Sequence, residues 1–220
     1  MRLWAKLGMT VLALGTVSGV LTPSVASAKT KVTGTFANRD LQSYYKSAKA
    51  KSAFHFETLK AGKNSKKTAT VVVMGDFGSV PNVKYGALTS AKYSKNKKVL
   101  TMKYKLVNFK TKNGKTTTSL AKKAYTFKLT KKSTNKFTAK LTGKKANRRL
   151  ANSGTTYKYT RTKTNPAKAY AKKYVKPTMY KQYLKAFNSI NATQAQKKKL
   201  ATQYATQATN TMVKNFDLKN

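Results

Sequence analysis

From residue 31 to residue 162 apolar and polar side chains alternate one by one, in short runs separated by turn-forming residues. Val32, Gly34 and Phe36 alternate with Lys31, Thr33 and Thr35, and Phe54 and Phe56 with Ala53, His55 and Glu57. The stretch from Ala69 to Phe77 carries an unbroken apolar run, Val71-Val72-Val73-Met74, and reads as the most buried strand. Val83, Tyr85, Ala87 and Ala91 oppose Lys84, Ser90 and Lys92, while Leu100, Met102, Tyr104 and Leu106 oppose Thr101, Lys103 and Lys105. Tyr125, Phe127 and Leu129, then Phe137, Ala139 and Leu141, then Tyr157 and Tyr159 complete the series, each against lysine and threonine. That predicts eight strands. Hairpin turns join them around Ala61 to Ser65, Pro81-Asn82, Ser94 to Lys97, Asn113-Gly114 and Ser133 to Asn135; Asn113-Gly114 is the most specific, since both residues accept the positive φ of a tight hairpin. The expected fold is mainly β: an eight-strand antiparallel meander, closed as a barrel or folded as a sandwich, with lysine and threonine towards solvent.

Two stretches change period. After the first strand, Leu41, Tyr44, Tyr45 and Ala48 recur at helical spacing behind Asn38, a candidate cap, and Asp40, which predicts a short helix. From Asn165-Pro166 onward the period is 3.6. Ala167, Tyr170, Ala171 and Tyr174 form one stripe, and Pro177 restarts a helix carrying Met179, Tyr183 and Phe187. Thr193 to Gln196 fits a capping box ahead of Leu200, Tyr204, Ala208 and Met212. The predicted organisation is therefore a β domain over residues 29–164 and a helical region over 165–220.

Residues 1–28 read as a secretory signal peptide. Arg2 and Lys6 precede an uncharged apolar stretch from Leu7 to about Leu21, and Pro23 leads to the small-x-small site Ala26-Ser27-Ala28. The stretch is short for a bilayer span, which needs about 20 apolar residues, and no later segment is apolar enough to cross. The expectation is a secreted protein, extracellular or associated with the cell wall.

Composition narrows the function classes. With 47 lysines and arginines against four acids, the chain carries a formal charge of +43. Most lysines have no acid to pair with, so self-repulsion opposes folding and a polyanionic partner would offset it. The excess is nearly all lysine, a hydrated point charge suited to many-point attraction rather than to planar recognition of one group. Cysteine is absent, which removes disulfides, thiol nucleophiles, thiolate metal sites and the lipid-bearing cysteine of lipoproteins.

The Gly34-Thr35-Phe36 start, the early short helix, the eight-strand meander and the trailing helices together resemble small secreted lipocalin-like β-barrel proteins of Gram-positive bacteria. The resemblance spans at most residues 31–162 and the start of the helical tail, with Phe36 where lipocalins carry tryptophan. It implies a barrel that carries a small apolar ligand, and it assigns no individual binding residue here.

Catalytic chemistry is poorly supplied. His55 is the single histidine, and the acids are Asp40, Glu57, Asp76 and Asp217. His55 and Glu57 share a strand face, so they form either an acid–base or metal pair or, on strand alternation, a solvent-facing polar pair dispensable for function. No catalytic residue, metal site or cofactor is assigned, and the chain is read as a binding protein rather than an enzyme. The stronger signal interleaves rings and charges: Tyr170, Lys172, Lys173, Tyr174, Lys176, Tyr180, Lys181, Tyr183 and Lys185, to which Arg148 and Arg149 add basic groups. Either these tyrosines stack on a ligand, or they pack the helices onto the sheet and leave the lysines in water. The expected partners are anionic wall polymers or other polyanions, extracellular nucleic acid among them, with the apolar-ligand carrier and a cationic antimicrobial or adhesin as alternatives.

Overall fold

The computed structural model describes residues 34–60, 68–113, 115–141 and 155–218. The leader and the pair Arg148–Arg149 lie outside these residues, as does the first half of the expected first strand. A four-residue helix α1 (Asn38–Leu41) leads into eight strands: β1 (Tyr44–Ser47), β2 (Ser52–Lys60), β3 (Thr68–Asp76), β4 (Asn82–Tyr93), β5 (Val99–Lys112), β6 (Lys115–Lys131), β7 (Lys136–Leu141) and β8 (Thr156–Thr162). Each pairs antiparallel with the next, and β1 pairs with β8 through Tyr44 opposite Thr162, so the sheet closes into a barrel rather than a sandwich.

The expected architecture is found, with its first strand allotted differently. Gly34 to Ala37 are not strand, and Tyr44–Ser47, read as helical, form β1. The helical spacing of Leu41, Tyr44, Tyr45 and Ala48 arises because β1 is covered on both sides: Tyr45 is fully buried in the barrel, while Tyr44 packs outward beneath the helices. Asn38 lies inside α1 instead of capping it, and Asp40 folds back to accept from the Ala37 N–H at 2.8 Å. The strands β5 and β6 run longer than their apolar cores and continue past an irregularity at Lys105–Val107 as a two-stranded arm, whose tip residue Asn113 has φ +50°.

Rings fill the barrel. Tyr45 stacks on Phe54 at 4.5 Å between centroids, and Phe54 meets Phe127 at 5.1 Å and Tyr159 at 5.0 Å, both edge-on. Small-barrel interiors of this kind are packed by side chains rather than left open.

The helical region forms α2 (Ala167–Tyr170), a π-helical turn (Ala171–Val175), α3 (Lys176–Ala186), a 3-10 turn (Phe187–Ser189) and α4 (Gln194–Phe216). Asn165 Oδ1 accepts from Ala167 N, and Thr193 and Gln196 exchange the two bonds of the expected capping box. Pro177 stands in the first turn of α3, as expected, though no break in the helical backbone precedes it. Proline has no N–H and crowds the carbonyl four residues back, and the wider π turn just ahead of it lets the helix run through. These helices bury Ala167, Ala171, Val175, Met212 and Phe216 against Ala53, Val71, Val73 and Phe77 on the outer wall of β2 and β3. The run Val71–Met74 is apolar throughout because β3 is covered on both faces.

Candidate functional site

A buried ion cluster fixes the base of the barrel. Lys131 ends β6 and Arg161 lies near the end of β8, both at inward positions of the alternation. Lys131 Nζ and Arg161 Nη1 each lie 2.7 Å from a carboxylate oxygen of the fully buried Asp40. Tyr45 donates its hydroxyl to the Asp40 carbonyl at 2.6 Å, and burial raises that hydroxyl's pKa far above the tyrosine range. The cluster ties α1 across the barrel's end. Sequence reasoning missed it, although period-two alternation points Lys131 and Arg161 inward and leaves them in need of an acid.

Beside α1 the wall is incomplete. Tyr45 of β1 pairs with Phe54 of β2, and β1 begins one residue earlier, so the second half of β2 is paired on its β3 side alone. A cleft of about 530 Å³ occupies this corner, lined by Asn38, Leu41, Gln42, Ser43 and Tyr44 on one side and by His55, Phe56, Glu57, Thr58 and Thr70 on the other. Leu41 and Phe56 continue the barrel's apolar interior to the cleft. Tyr44, His55 and Glu57 supply polar groups from the outer face of the wall.

His55 is buried, which corrects the expectation that it faces solvent: the C-terminal helix covers this part of the outer wall. Its Nε2 lies 2.8 Å from the Phe216 carbonyl oxygen. A carbonyl only accepts, so Nε2 carries a proton, and Nδ1 is left facing Glu57 Oε1 at 3.4 Å. Burial, reinforced by the Asp217 and Glu57 carboxylates, pushes the Tyr44 hydroxyl above the usual tyrosine range. At the far end of β3, burial raises the Asp76 carboxyl, against the opposing pull of the Gly78 N–H and Lys84.

Of the residues that the sequence singled out in the helices, Lys172, Lys173, Lys181 and Lys185 are exposed and Lys176 and Tyr180 half-buried. Tyr170 packs edge-on against Phe77 at 5.5 Å and against Tyr174 at 5.3 Å, and the ammonium of Lys173 sits over the Tyr174 ring. Tyr183 joins a separate cluster with Phe187 and Tyr204. It also lines a shallow groove of about 450 Å³ with Pro81 and Val83. The interleaved sequence thus falls into two aromatic groups rather than one surface.

Charge is segregated around the barrel. Glu57 sits beside His55 at the cleft, Asp76 accepts from the Gly78 N–H and Asp40 is internal. With Asp217 just past α4, none of the chain's four acids falls on the outer wall of β4–β8. Across its middle, at Ser90, Lys92, Thr101, Lys103, Thr126 and Lys128, the outward positions are lysine, threonine or serine, Lys128 stands directly opposite Lys140, and Val99 and the exposed Phe109 lie on the same face of β5 towards its two ends. Among the described residues no group of three or more histidines and acids is placed to hold a metal ion, and no helix is long and apolar enough to cross a membrane.

The chain matches no known protein family, no curated protein and no solved structure. Its eight-stranded antiparallel barrel has the form of lipocalin-like proteins.

Proposed function

We propose that this chain is a binding protein, not an enzyme, that works outside the cell and carries a small ligand at the base of a lipocalin-like barrel. The cleft between α1 and the unpaired half of β2 carries the reading. Packed rings occupy the barrel's centre, so the ligand sits at the corner where α1 meets the wall. Its volume suits a compact organic molecule, since small-molecule sites run from roughly 300 to 1,000 Å³. Leu41 and Phe56 favour an apolar body, and Tyr44, His55 and Glu57 favour a polar end. Binding of an environment-sensitive apolar dye, displaced by candidate ligands, tests the reading. Filling the cleft with Thr70→Trp should abolish dye binding without lowering the unfolding temperature. Undiminished binding by that variant, or no binding by the parent chain, would sink the proposal.

A second reading, attachment to anionic polymers of the cell envelope, is favoured by one observation: the acid-free outer wall of β4–β8. On this reading the charge holds the carrier at the surface of its cell while the cleft serves the ligand. Retention on an anionic resin at physiological salt, compared with a neutral glucan resin, tests it.

A further inference from the structure

We infer that the outer wall of β4–β8 is the docking surface for a linear, base-free phosphodiester polymer of the wall-polymer kind. The inference rests on the second reading above and assigns it a site. Lys92 of β4 stands opposite Thr101 of β5, Thr101 opposite Lys128 of β6, and Lys128 opposite Lys140 of β7. Lys103 is opposite Thr126, and Lys158 of β8 is opposite Thr138. These lysines are exposed. Strands lie about 4.8 Å apart and alternate residues of a strand about 7 Å apart. The wall is therefore a lattice of ammonium groups with hydroxyls between them.

Like charges directly opposite each other destabilise a sheet. Lys128 and Lys140 occupy such a pair, with no carboxylate anywhere on the wall to relieve it. A row of single negative charges laid across the strands would relieve it, and threonine hydroxyls can donate to the phosphate oxygens between lysines. Two features separate the polymer from nucleic acid. Single strands are held by aromatic platforms on which bases stack; within the lysine lattice the rings Tyr104, Tyr125, Phe127, Phe137 and Tyr159 point into the barrel, and the exposed Phe109, farther along β5, meets Tyr85 edge-on at 5.3 Å instead of lying among the lysines. The wall is also convex, so a stiff duplex would touch it along a line while a flexible chain can follow its curve.

The test compares two purified charge-matched variants. One replaces Lys103, Lys128, Lys140 and Lys158 with glutamine. The other replaces Lys168, Lys198, Lys199 and Lys214 of the helical layer, all exposed. Affinity for a poly(glycerol phosphate) chain is measured between roughly 50 and 200 mM salt, the range over which counterion release is steep. The wall variant should lose about tenfold or more in affinity and shed about 3 from the log–log salt slope, the share of four lost phosphate contacts. The helical variant should lose much less. Removing repulsion should leave the unfolding temperature of the wall variant equal or higher, and a Lys128→Thr, Lys140→Thr pair, which restores good strand formers, serves if the fourfold change does not fold. Equal losses in both variants would overturn the docking site and leave polyanion attachment standing. No salt-dependent binding by the parent chain would overturn attachment itself. Tighter binding of single-stranded DNA of equal phosphate number would overturn the base-free partner.

Discussion

His55, on the outer face of β2, donates its Nε2 proton to the backbone carbonyl of Phe216, the last residue of α4, at 2.8 Å. Tyr85 of β4 does the same for Asn215 at 2.7 Å. The last carbonyls of a helix have no partner within it, so the barrel wall caps the helix that covers it. Replacing His55 with leucine should cost about 1–3 kcal/mol, because it leaves a buried carbonyl without its donor, and Tyr85→Phe about 0.5–1.5 kcal/mol, because water can reach the exposed Asn215 carbonyl. Urea unfolding measures the loss, and hydrogen exchange should quicken first in the last turn of α4. An unchanged midpoint for both variants would show that the caps do not hold the helix.

Asp40 joins two cations where no solvent reaches. Asp40→Asn would strand the buried Lys131 and leave Arg161 only its bonds to Asn135, and should destabilise the fold by about 3–5 kcal/mol, the usual result of breaking a buried pair from one side. Lys131→Met, which keeps the Arg161 contact, should cost less. A denaturant midpoint for Asp40→Asn within error of the parent would remove the cluster from the account of barrel closure.

Gly75 of β3 is a one-atom probe of helix docking. A Cβ there would lie 2.7 Å from the Phe77 ring and 2.9 Å from the Phe216 ring. Gly75→Ala should destabilise by about 1–3 kcal/mol through overpacking. Gly86→Ala meets Tyr104 and Val72 instead, inside the barrel. The two variants should therefore differ in hydrogen exchange: only the first should loosen α4. Equal loosening by both would mean that barrel and helix open as one unit.

Alkaline pH should unfold the protein. Burial pushes the Tyr85 and Tyr170 hydroxyls up to about 12 and raises Tyr45 and Tyr159 as well. In the unfolded chain these groups lose their protons near pH 10. The folded state thus holds more protons between those values, and stability must fall as pH rises through that interval. Ultraviolet titration of the 13 tyrosines should show two phases, exposed phenols first and buried ones together with unfolding. A single phase near the ordinary value would contradict the burial of these hydroxyls.

The barrel was legible because its two faces differ so sharply: rings and leucines inside, lysine and threonine outside, over most of β4 to β8. It was illegible where both faces are covered. In β1 the outward Tyr44 and inward Tyr45 destroy the alternation, and their spacing mimics a helix. The burial of His55 depends on a partner 161 residues away in sequence, which no local period encodes. The cleft was hidden for a related reason. It exists because β1 is four residues and β2 is nine, a mismatch visible only once the register is known. Lysines were readable as a class, but their segregation from the acids required the strands to be placed.

The seam of the barrel joins its first strand to its last, Tyr44 opposite Thr162. Translation delivers β1 early, and its final neighbour arrives more than a hundred residues later. Until then β8 is missing and the sheet has two open edges, in a topology whose distant pairings form slowly. Such intermediates are the ones that stick to one another through unpaired strands. A growing chain this rich in lysine repels its copies throughout that wait, so the charge that burdens the finished fold protects the unfinished one.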